Sequence, residues 1–313
     1  MRQWKQAMLA GAVLVAAGAA HAETRLTYKS AKTGTSYYQM AVELAEGVRS
    51  ATDGQIGMTV EESQGSVQNV MEVRARGGDY VFTAPPSLVA AAQGATGPFE
   101  GKGNPNFDEI RALFPIPSLT MHFVMGGSEG PTDLSALEGQ RILLGKGSFG
   151  ASEGQKYLDL FGLTDKVTIA DAELSNAGDA LTNGQIDGFV TAGSFPAPNV
   201  IEAAAGEGVR ILSLTDEQVA QTGQARVVIP ADVYPGQAGD IVTTGLPVVA
   251  FASTAMDDET AYQLTRAFWT QRDAMAANAP WWDGVSTDQV SELGALHPGA
   301  ARYYEEAGVA VGE

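Results

Sequence analysis

The feature that most constrains the fold is a strand, a tight turn and a helix in direct succession from Arg25 to Ala51. A β-leaning run, Leu26–Tyr28, leads into the small-residue turn Thr33–Ser36. A helical pattern follows, with apolar residues three and four positions apart at Tyr37, Met40, Ala41, Leu44, Ala45 and Val48. The first N–H groups of such a helix have no intrahelical partner, so the turn is suited to a carboxylate or phosphate. The simpler interpretation is that Thr35 or Ser36 only caps the helix.

The same alternation of strand and helix continues along the chain. Further strands are predicted at 56–61, 79–83, 110–114, 119–125, 141–144, 167–169, 186–190, 209–214, 225–229 and 246–252. The longest amphipathic helix is predicted from Thr260 to Ala277. Strands that alternate with helices indicate βαβ units and a mostly parallel sheet. In such sheets ligands bind at the carboxyl ends of the strands, where the connecting loops meet.

The order of these elements predicts an α/β fold with two lobes. Pro115 and Pro117 are expected to end the strand Ile110–Phe114, because proline cannot donate to a sheet ladder. A second α/β series begins at Leu119, and the chain is expected to return to the first lobe near Pro247. The predicted lobes are residues 23–117 with 247–313, and residues 118–246.

The first 22 residues are predicted to be a secretory signal peptide. Arg2 and Lys5 form a basic head, residues 7–20 are apolar and alanine-rich, and Ala20-His21-Ala22 is a small-x-small cleavage pattern. We therefore expect export to the periplasm and cleavage after Ala22.

The rest of the chain is strongly acidic and contains no cysteine. Without Arg2 and Lys5, 17 basic residues stand against 37 acidic residues, a formal charge of −20. This balance argues against nucleic acid and anionic membrane surfaces as partners. A small anion can still bind, because a site acts through local N–H groups and single cations. The lack of cysteine excludes thiolate nucleophiles and iron–sulfur clusters.

A glycine-rich loop gives the strongest single motif. Gly145-x-Gly147-x-x-Gly150 follows a predicted strand and opens a predicted helix, and Asp171 ends the next strand. This arrangement is typical of dinucleotide binding, so an exported dinucleotide-dependent oxidoreductase is the alternative function. The export signal, the mid-chain position and the lack of clear hydride-transfer residues downstream weigh against it. Glycines before a helix can hold other anions as well, with Lys146 nearby to assist.

A second motif, Gly126-Gly127-Ser128-Glu129-Gly130, matches the pattern of a hydrolase nucleophile elbow. The elbow requires a helix to begin at once, whereas Pro131–Asp133 reads as a turn. After the leader only His122 and His297 remain as candidate bases. We interpret His122 as a packed histidine in a strand and His297 as the cap of the last helix, so serine hydrolysis is disfavoured.

Taken together, the motifs resemble the TAXI family of TRAP-transporter solute-binding proteins. Gly34–Tyr38 resembles the family's glycine-threonine-tyrosine-tyrosine opening, and Gly65–Asn69 its glycine-serine-valine-glutamate-asparagine segment. Further segments similar to the family, in the same order, are Lys146–Glu153, Asp187–Pro198, Tyr234–Gln237 and His297–Tyr304. The resemblance extends over nearly the whole chain after the leader.

The resemblance implies a type II periplasmic-binding-protein fold, with two α/β lobes that close on a small solute. It implies a receptor for a glutamate-like acid or a dicarboxylate, not an enzyme, with no cofactor or metal. The partner would be a sodium-coupled TRAP permease, as separate or fused membrane subunits, and a sensor that reports to a receptor is a further possibility. The implied ligand-binding residues are Gly34, Thr35, Tyr37, Gln64, Gly65, Ser66 and Thr83 in the first lobe and Ser148, Phe149, Ser152 and Ser194 in the second.

The chain departs from the family pattern at three places. Ser36 is inserted before the two tyrosines, Thr83–Pro86 replaces a more polar turn, and Phe149 and Ala151 alter the third loop. These departures point to a ligand that is less polar, or differently held, than in the glutamate-binding members.

Overall fold

The computed structural model describes residues 23–145, 148–206 and 208–312, which form a mixed α/β fold on one sheet. The predicted signal peptide, together with Lys146 and Gly147, lies outside the described residues. The strands are β1 (Thr24–Lys29), β2 (Ile56–Glu61), β3 (Tyr80–Ala84), β4 (Ile110–Gly126), β5 (Arg141–Leu143), β6 (Thr168–Ala170), β7 (Gly188–Gly193), β8 (Val209–Ile211), β9 (Ala225–Ile229) and β10 (Ile241–Ser253).

Helices cover the sheet and confirm the predicted alternation. The α-helices are α1 (Ser36–Ala51), α2 (Ser66–Glu72), α3 (Pro86–Gln93), α4 (Phe149–Leu160), α5 (Ala177–Thr182), α6 (Pro198–Ala204), α7 (Asp216–Thr222), α8 (Asp258–Asn278) and α9 (Pro298–Glu306). Short 3₁₀ helices include Leu134–Leu137, Leu174–Asn176, Pro280–Gly284 and Thr287–Glu292. The longest predicted helix is confirmed as α8, which packs against α1 and α9. Among the described residues no helix combines the length and apolarity that a membrane span needs.

The sheet has parallel outer parts and an antiparallel centre. Its strand order is β2-β1-β3-β10-β4-β7-β5-β6, with β9 paired to β10 and β8 paired to β4. β1 runs parallel to β2 and β3, and β5 runs parallel to β6 and β7. The two long central strands, β4 and β10, are antiparallel to each other and to their other neighbours. The sheet is therefore less parallel than the sequence predicted.

The prediction that Pro115 and Pro117 end a strand is wrong. β4 continues through both prolines from Ile110 to Gly126: Pro115 pairs with Val249, and the pairing with β10 shifts register between Ile116 and Leu119, the stretch that contains Pro117. Proline is tolerated at such bulges because the local ladder does not require its missing N–H.

β4 and β10 are thus continuous strands that join two lobes, the first carrying β1–β3 and the second β5–β9. The two-lobed α/β fold is confirmed, while the lobe boundaries at 117/118 and 246/247 stay a prediction.

The core of the first lobe supports helix α1. Trp282 and Phe268 are completely buried there, with ring centroids 6.0 Å apart. The indole N–H groups of Trp281 and Trp282 donate to the same Glu43 carboxylate oxygen of α1, at 3.0 and 2.7 Å. The segment Pro280–Gly284 is therefore tied to α1, the helix whose first turn reaches the space between the lobes.

Candidate functional site

A cleft lies between the lobes, at the carboxyl ends of the parallel strands. Its volume is about 120 Å³, close to the ~150 Å³ of an engineered protein cavity that binds benzene. The first lobe contributes the loops after β1, β2 and β3, and the second contributes the loops after β5 and β6 with part of α6. Leu119 of β4 and Val248 of β10 lie between them. The cleft therefore suits a solute of about the size of a small organic acid.

The first lobe presents the start of α1 to the cleft. Gly34, with a φ of +83°, forms the turn, and Thr35 caps the helix. The Thr35 hydroxyl accepts from Tyr38 N at 3.3 Å and donates to Lys32 O at 2.7 Å. The capping interpretation is thus confirmed for Thr35, whereas the buried Ser36 hydroxyl has no hydrogen-bond partner in the described part of the chain.

The second lobe presents the start of α4 in the same way. Ser148 caps this helix: its hydroxyl accepts from Ala151 N and donates to Gly145 O, both at 2.9 Å. A methyl group at Gly150 would lie 2.9 Å from Ala192 Cβ, so glycine allows the first turn to pack directly on β7. Both caps donate their hydroxyl proton to a carbonyl oxygen of the protein, and the remaining N–H groups of each first turn have no acceptor within the helix.

The starts of α2 and α4 face each other across the cleft. A methyl group at Gly65 would lie 3.9 Å from Phe149 N. Gly65 has a φ of +114°, a backbone conformation that favours glycine. Ser66 is 9% exposed and lines the cleft, and its hydroxyl makes no hydrogen bond to any other described residue.

Several hydroxyl groups make hydrogen bonds at the base of the cleft, two of them to carbonyl oxygens of the central strand β4. The Tyr37 hydroxyl donates to Pro117 O at 2.8 Å, and Tyr28 and Thr83 share a hydrogen bond of 2.6 Å. Burial raises the pKa of Tyr37 and of Tyr28 far above the usual value, so both phenols keep their protons. Ser194 donates to Ser118 O at 2.7 Å. The bonds of Tyr37 and Ser194 hold the first and the second lobe to β4, and the bond between Tyr28 and Thr83 joins β1 to β3.

An ion pair crosses the cleft. Lys32 Nζ of the first lobe lies 3.1 Å from Glu173 Oε2 of the second. The Gln64 amide completes the contact, accepting from Lys32 Nζ and donating to Glu173 at 3.3 Å in the orientation that satisfies both groups. We call these three residues the cleft bridge. Their side chains are partly exposed, which places the bridge at the mouth of the cleft.

Nine of the eleven candidate residues line the cleft together: Gly34, Thr35, Tyr37, Gln64, Gly65, Ser66, Thr83, Ser148 and Phe149. Ser152 lies instead in a neighbouring groove with Gln155 and Ile169. Ser194 lines a third hollow with Ser118 and Thr120, the strand neighbours of Leu119. That these residues bind a ligand stays a prediction.

Several residues of the cleft were not predicted from the sequence: Lys32, Glu173, Leu174, Asn199, Glu202, Leu119 and Val248. Lys32 could have been found, because it directly precedes the turn Thr33–Ser36. Leu119 and Val248 lie in continuous apolar strands, and nothing in the sequence distinguishes them from core residues.

The glycine-rich motif and the Gly126–Gly130 motif differ in how well their surroundings match the patterns they resemble. β5, α4 and β6 form the parallel unit expected of the glycine-rich motif, with Asp171 just after β6. A cleft of about 120 Å³ is, however, small for a dinucleotide. The stretch Gly126–Gly130 is not followed by a helix until Leu134. Its arrangement therefore lacks the helix of a nucleophile elbow.

Both histidines have structural roles. His122 is completely buried, with Nδ1 3.0 Å from Thr120 O and Nε2 2.8 Å from the Tyr234 hydroxyl. Burial lowers the pKa of His122 to about 4. His297 caps α9 by accepting from Gly299 N at 3.2 Å. The interpretations as a packed histidine and a helix cap are confirmed.

The fold is similar to several solved periplasmic binding proteins. One is the sulfonate-binding protein SsuA of a sulfonate ABC transporter from Methylobacillus flagellatus KT, with 17% identity, a TM-score of 0.47, and 81% of this chain and 69% of that one covered. Another is a TRAP solute-binding protein from Xanthobacter autotrophicus Py2 with bound β-D-galacturonate, at 14% identity, TM-score 0.48 and coverage of 89% and 94%. A third is DctP7, an extracytoplasmic solute receptor from Bordetella pertussis that binds pyroglutamic acid, at 13% identity, TM-score 0.44 and coverage of 92% and 87%.

The sequence of the chain matches the profile of a known family. The profile of the NMT1-like family matches residues 29–308, which includes every element from α1 to α9 and all the residues that line the cleft. The chain therefore belongs to the NMT1-like family.

Proposed function

We propose that this protein is an exported solute receptor of the TAXI type, which captures a small organic acid and delivers it to a TRAP-type sodium-coupled permease. The observation that carries the proposal is the cleft in which the first turns of α1 and α4 meet from opposite lobes. Helix N-termini stabilise negative charge, and the two helices have 16 and 12 residues. A ligand held by both lobes favours the closed state, so binding shifts the population towards it.

The cleft bridge would hold the closed state together at its mouth. Lys32, Gln64 and Glu173 can contact one another only when the lobes are close. The permease would then recognise the closed receptor, because only in that state do the surfaces of the two lobes have a fixed position relative to each other. No catalytic step is required for this cycle.

Replacing Lys32 by methionine is expected to speed ligand release up to about fivefold, because a partly exposed ion pair contributes about 0.2–1 kcal/mol. Stopped-flow dissociation measures this rate. The double variant Lys32→Glu, Glu173→Lys should restore most of the slow release. Lys166→Met is the matched control, since the Lys166–Glu138 pair lies within the second lobe. Equal release rates for the wild type and Lys32→Met would show that the bridge does not secure the closed state.

The proposal is tested by expressing the protein with its own leader and purifying it from the periplasm. Its mass reports whether cleavage follows Ala22. A thermal-shift screen against small carboxylates and sulfonates should give a saturable rise in Tm, because a ligand at 100 times its Kd adds about 2.7 kcal/mol of stability. No shift with any acid would overturn the receptor proposal, and a shift with a nicotinamide nucleotide alone would favour the dinucleotide alternative.

A further inference from the structure

We infer that the ligand is an acid with a single anionic group and an apolar body, rather than a dicarboxylate or an acidic amino acid. The inference rests on the proposed receptor function and names the substrate class of the same cleft. Three features of the lining lead to it: the donors that remain for an anion, the apolar base, and the sign of the charges around it.

Few hydroxyl groups on the buried residues of the lining keep a proton for an anion. The hydroxyl protons of Thr35 and Ser148 are directed to carbonyl oxygens, and that of Tyr37 to Pro117 O. These groups shape the cleft but have no proton to give a carboxylate. Ser66 does, because the residue is 9% exposed and lines the cleft, and its hydroxyl has no partner among the described residues.

The Ser66 hydroxyl lies beside the start of α4. Gly65 directly precedes Ser66, and a methyl group added at Gly65 would lie 3.9 Å from Phe149 N. Ser66 and the first turn of α4 therefore border the same space. A buried hydroxyl and the N–H groups of a twelve-residue helix together can hold one carboxylate or sulfonate group. This is the one anion position in the described lining that combines a helix terminus with an unpaired hydroxyl on a buried residue.

The base of the cleft is apolar. Leu119 and Val248, 4% and 2% exposed, form its base where the two long strands pass between the lobes. Phe149, Leu174 and Ala192 add apolar surface from the second lobe. A carboxylate placed against the side chains of Leu119 and Val248 would lose its hydration without gaining donors, which costs several kcal/mol. Hydrocarbon gains there about 0.8 kcal/mol for each buried CH₂ group.

The charges of the lining disfavour a second carboxylate. Lys32 is the one cation among the described lining residues, and it is paired with Glu173. Glu202 of α6 adds a further negative charge on the same side. A dicarboxylate would bring its second charge close to these acidic groups, or would have to displace Glu173 from Lys32.

The experiment compares acids that share one carboxylate and differ in their bodies. Titration calorimetry with 4-methylpentanoate, 3-phenylpropanoate, glutarate and glutamate is made on the purified wild-type protein. We expect the two apolar monoacids to bind at least about tenfold more tightly than glutarate or glutamate. Tighter binding of glutarate or glutamate overturns the inference but supports the receptor proposal, whereas heat from none of the acids contradicts both.

A conservative variant tests the apolar base. Val248→Thr keeps the side-chain shape and adds a hydroxyl against the proposed body of the ligand. We expect the affinity for 4-methylpentanoate to fall about 5- to 100-fold, because a hydroxyl is buried without a partner. Val249→Thr is the matched control: Val249 is equally buried but does not line the cleft. Equal affinities of the two variants would contradict the assignment of Val248 to the ligand surface.

Discussion

Trp282→Ala is expected to lower the free energy of unfolding by about 3–5 kcal/mol, the range for removing a large aromatic side chain from a core. Trp282 has no exposed surface, packs on Phe268 and donates its indole N–H to Glu43 at 2.7 Å. The substitution leaves a cavity and removes one of the two indole bonds that hold α1. Urea unfolding followed by circular dichroism measures the change, because far-ultraviolet signal does not depend on the removed chromophore.

Two further variants separate packing from hydrogen bonding. Glu43→Leu removes the acceptor of both indoles and leaves two N–H groups unsatisfied, at about 1–3 kcal/mol each. Glu43→Gln retains an acceptor oxygen and should cost clearly less. If Glu43→Leu were as stable as the wild type, the shared carboxylate would not anchor Pro280–Gly284 to α1.

This anchor concerns the site as well as the core. α1 carries Thr35 and Tyr37 at its first turn and Glu43 in its middle, so one rigid helix links the buried tryptophans to the cleft wall. Loss of the anchor should therefore weaken ligand binding in proportion to the loss of helix order. The stability of the first lobe and the geometry of the cleft are coupled through α1.

The sequence predicted the elements that depend on local pattern. The turn Thr33–Ser36 and helix α1 follow from small residues and a 3.6-residue period, and α8 from its long amphipathic pattern. The carboxyl ends of the predicted strands also gave the position of the cleft, because consecutive loops of a parallel arrangement meet at one edge, whereas the individual candidate residues came from the family resemblance.

What the sequence could not give depends on long-range pairing. Two prolines predict the end of a strand, but register shifts against β10, far away in sequence, accommodate them. The ion pair between Lys32 and Glu173 joins two loops whose contact requires the whole fold. Local pattern also cannot decide whether a hydroxyl such as that of Ser148 binds a ligand or only caps its helix, since both use the same position.

Ser66→Glu is expected to reduce acid binding about 10- to 100-fold, because like charges brought together at a binding surface cost several kcal/mol. The new carboxylate would lie opposite the first turn of α4 and occupy the position proposed for the ligand's acid group. It also lies in the first turn of α2, where a negative charge is favourable, so the folded state should tolerate it.

Ser66→Gln is the control of matched length without the charge. Calorimetric titration of both variants with 4-methylpentanoate should give a much weaker affinity for the glutamate variant than for the glutamine variant, at similar Tm. The added carboxylate acts as a tethered ligand at α4, and its negative charge opposes any second anion there. If both variants bind the acid equally, the anion does not bind between Ser66 and α4, and the start of α1 becomes the remaining position for it in the described cleft.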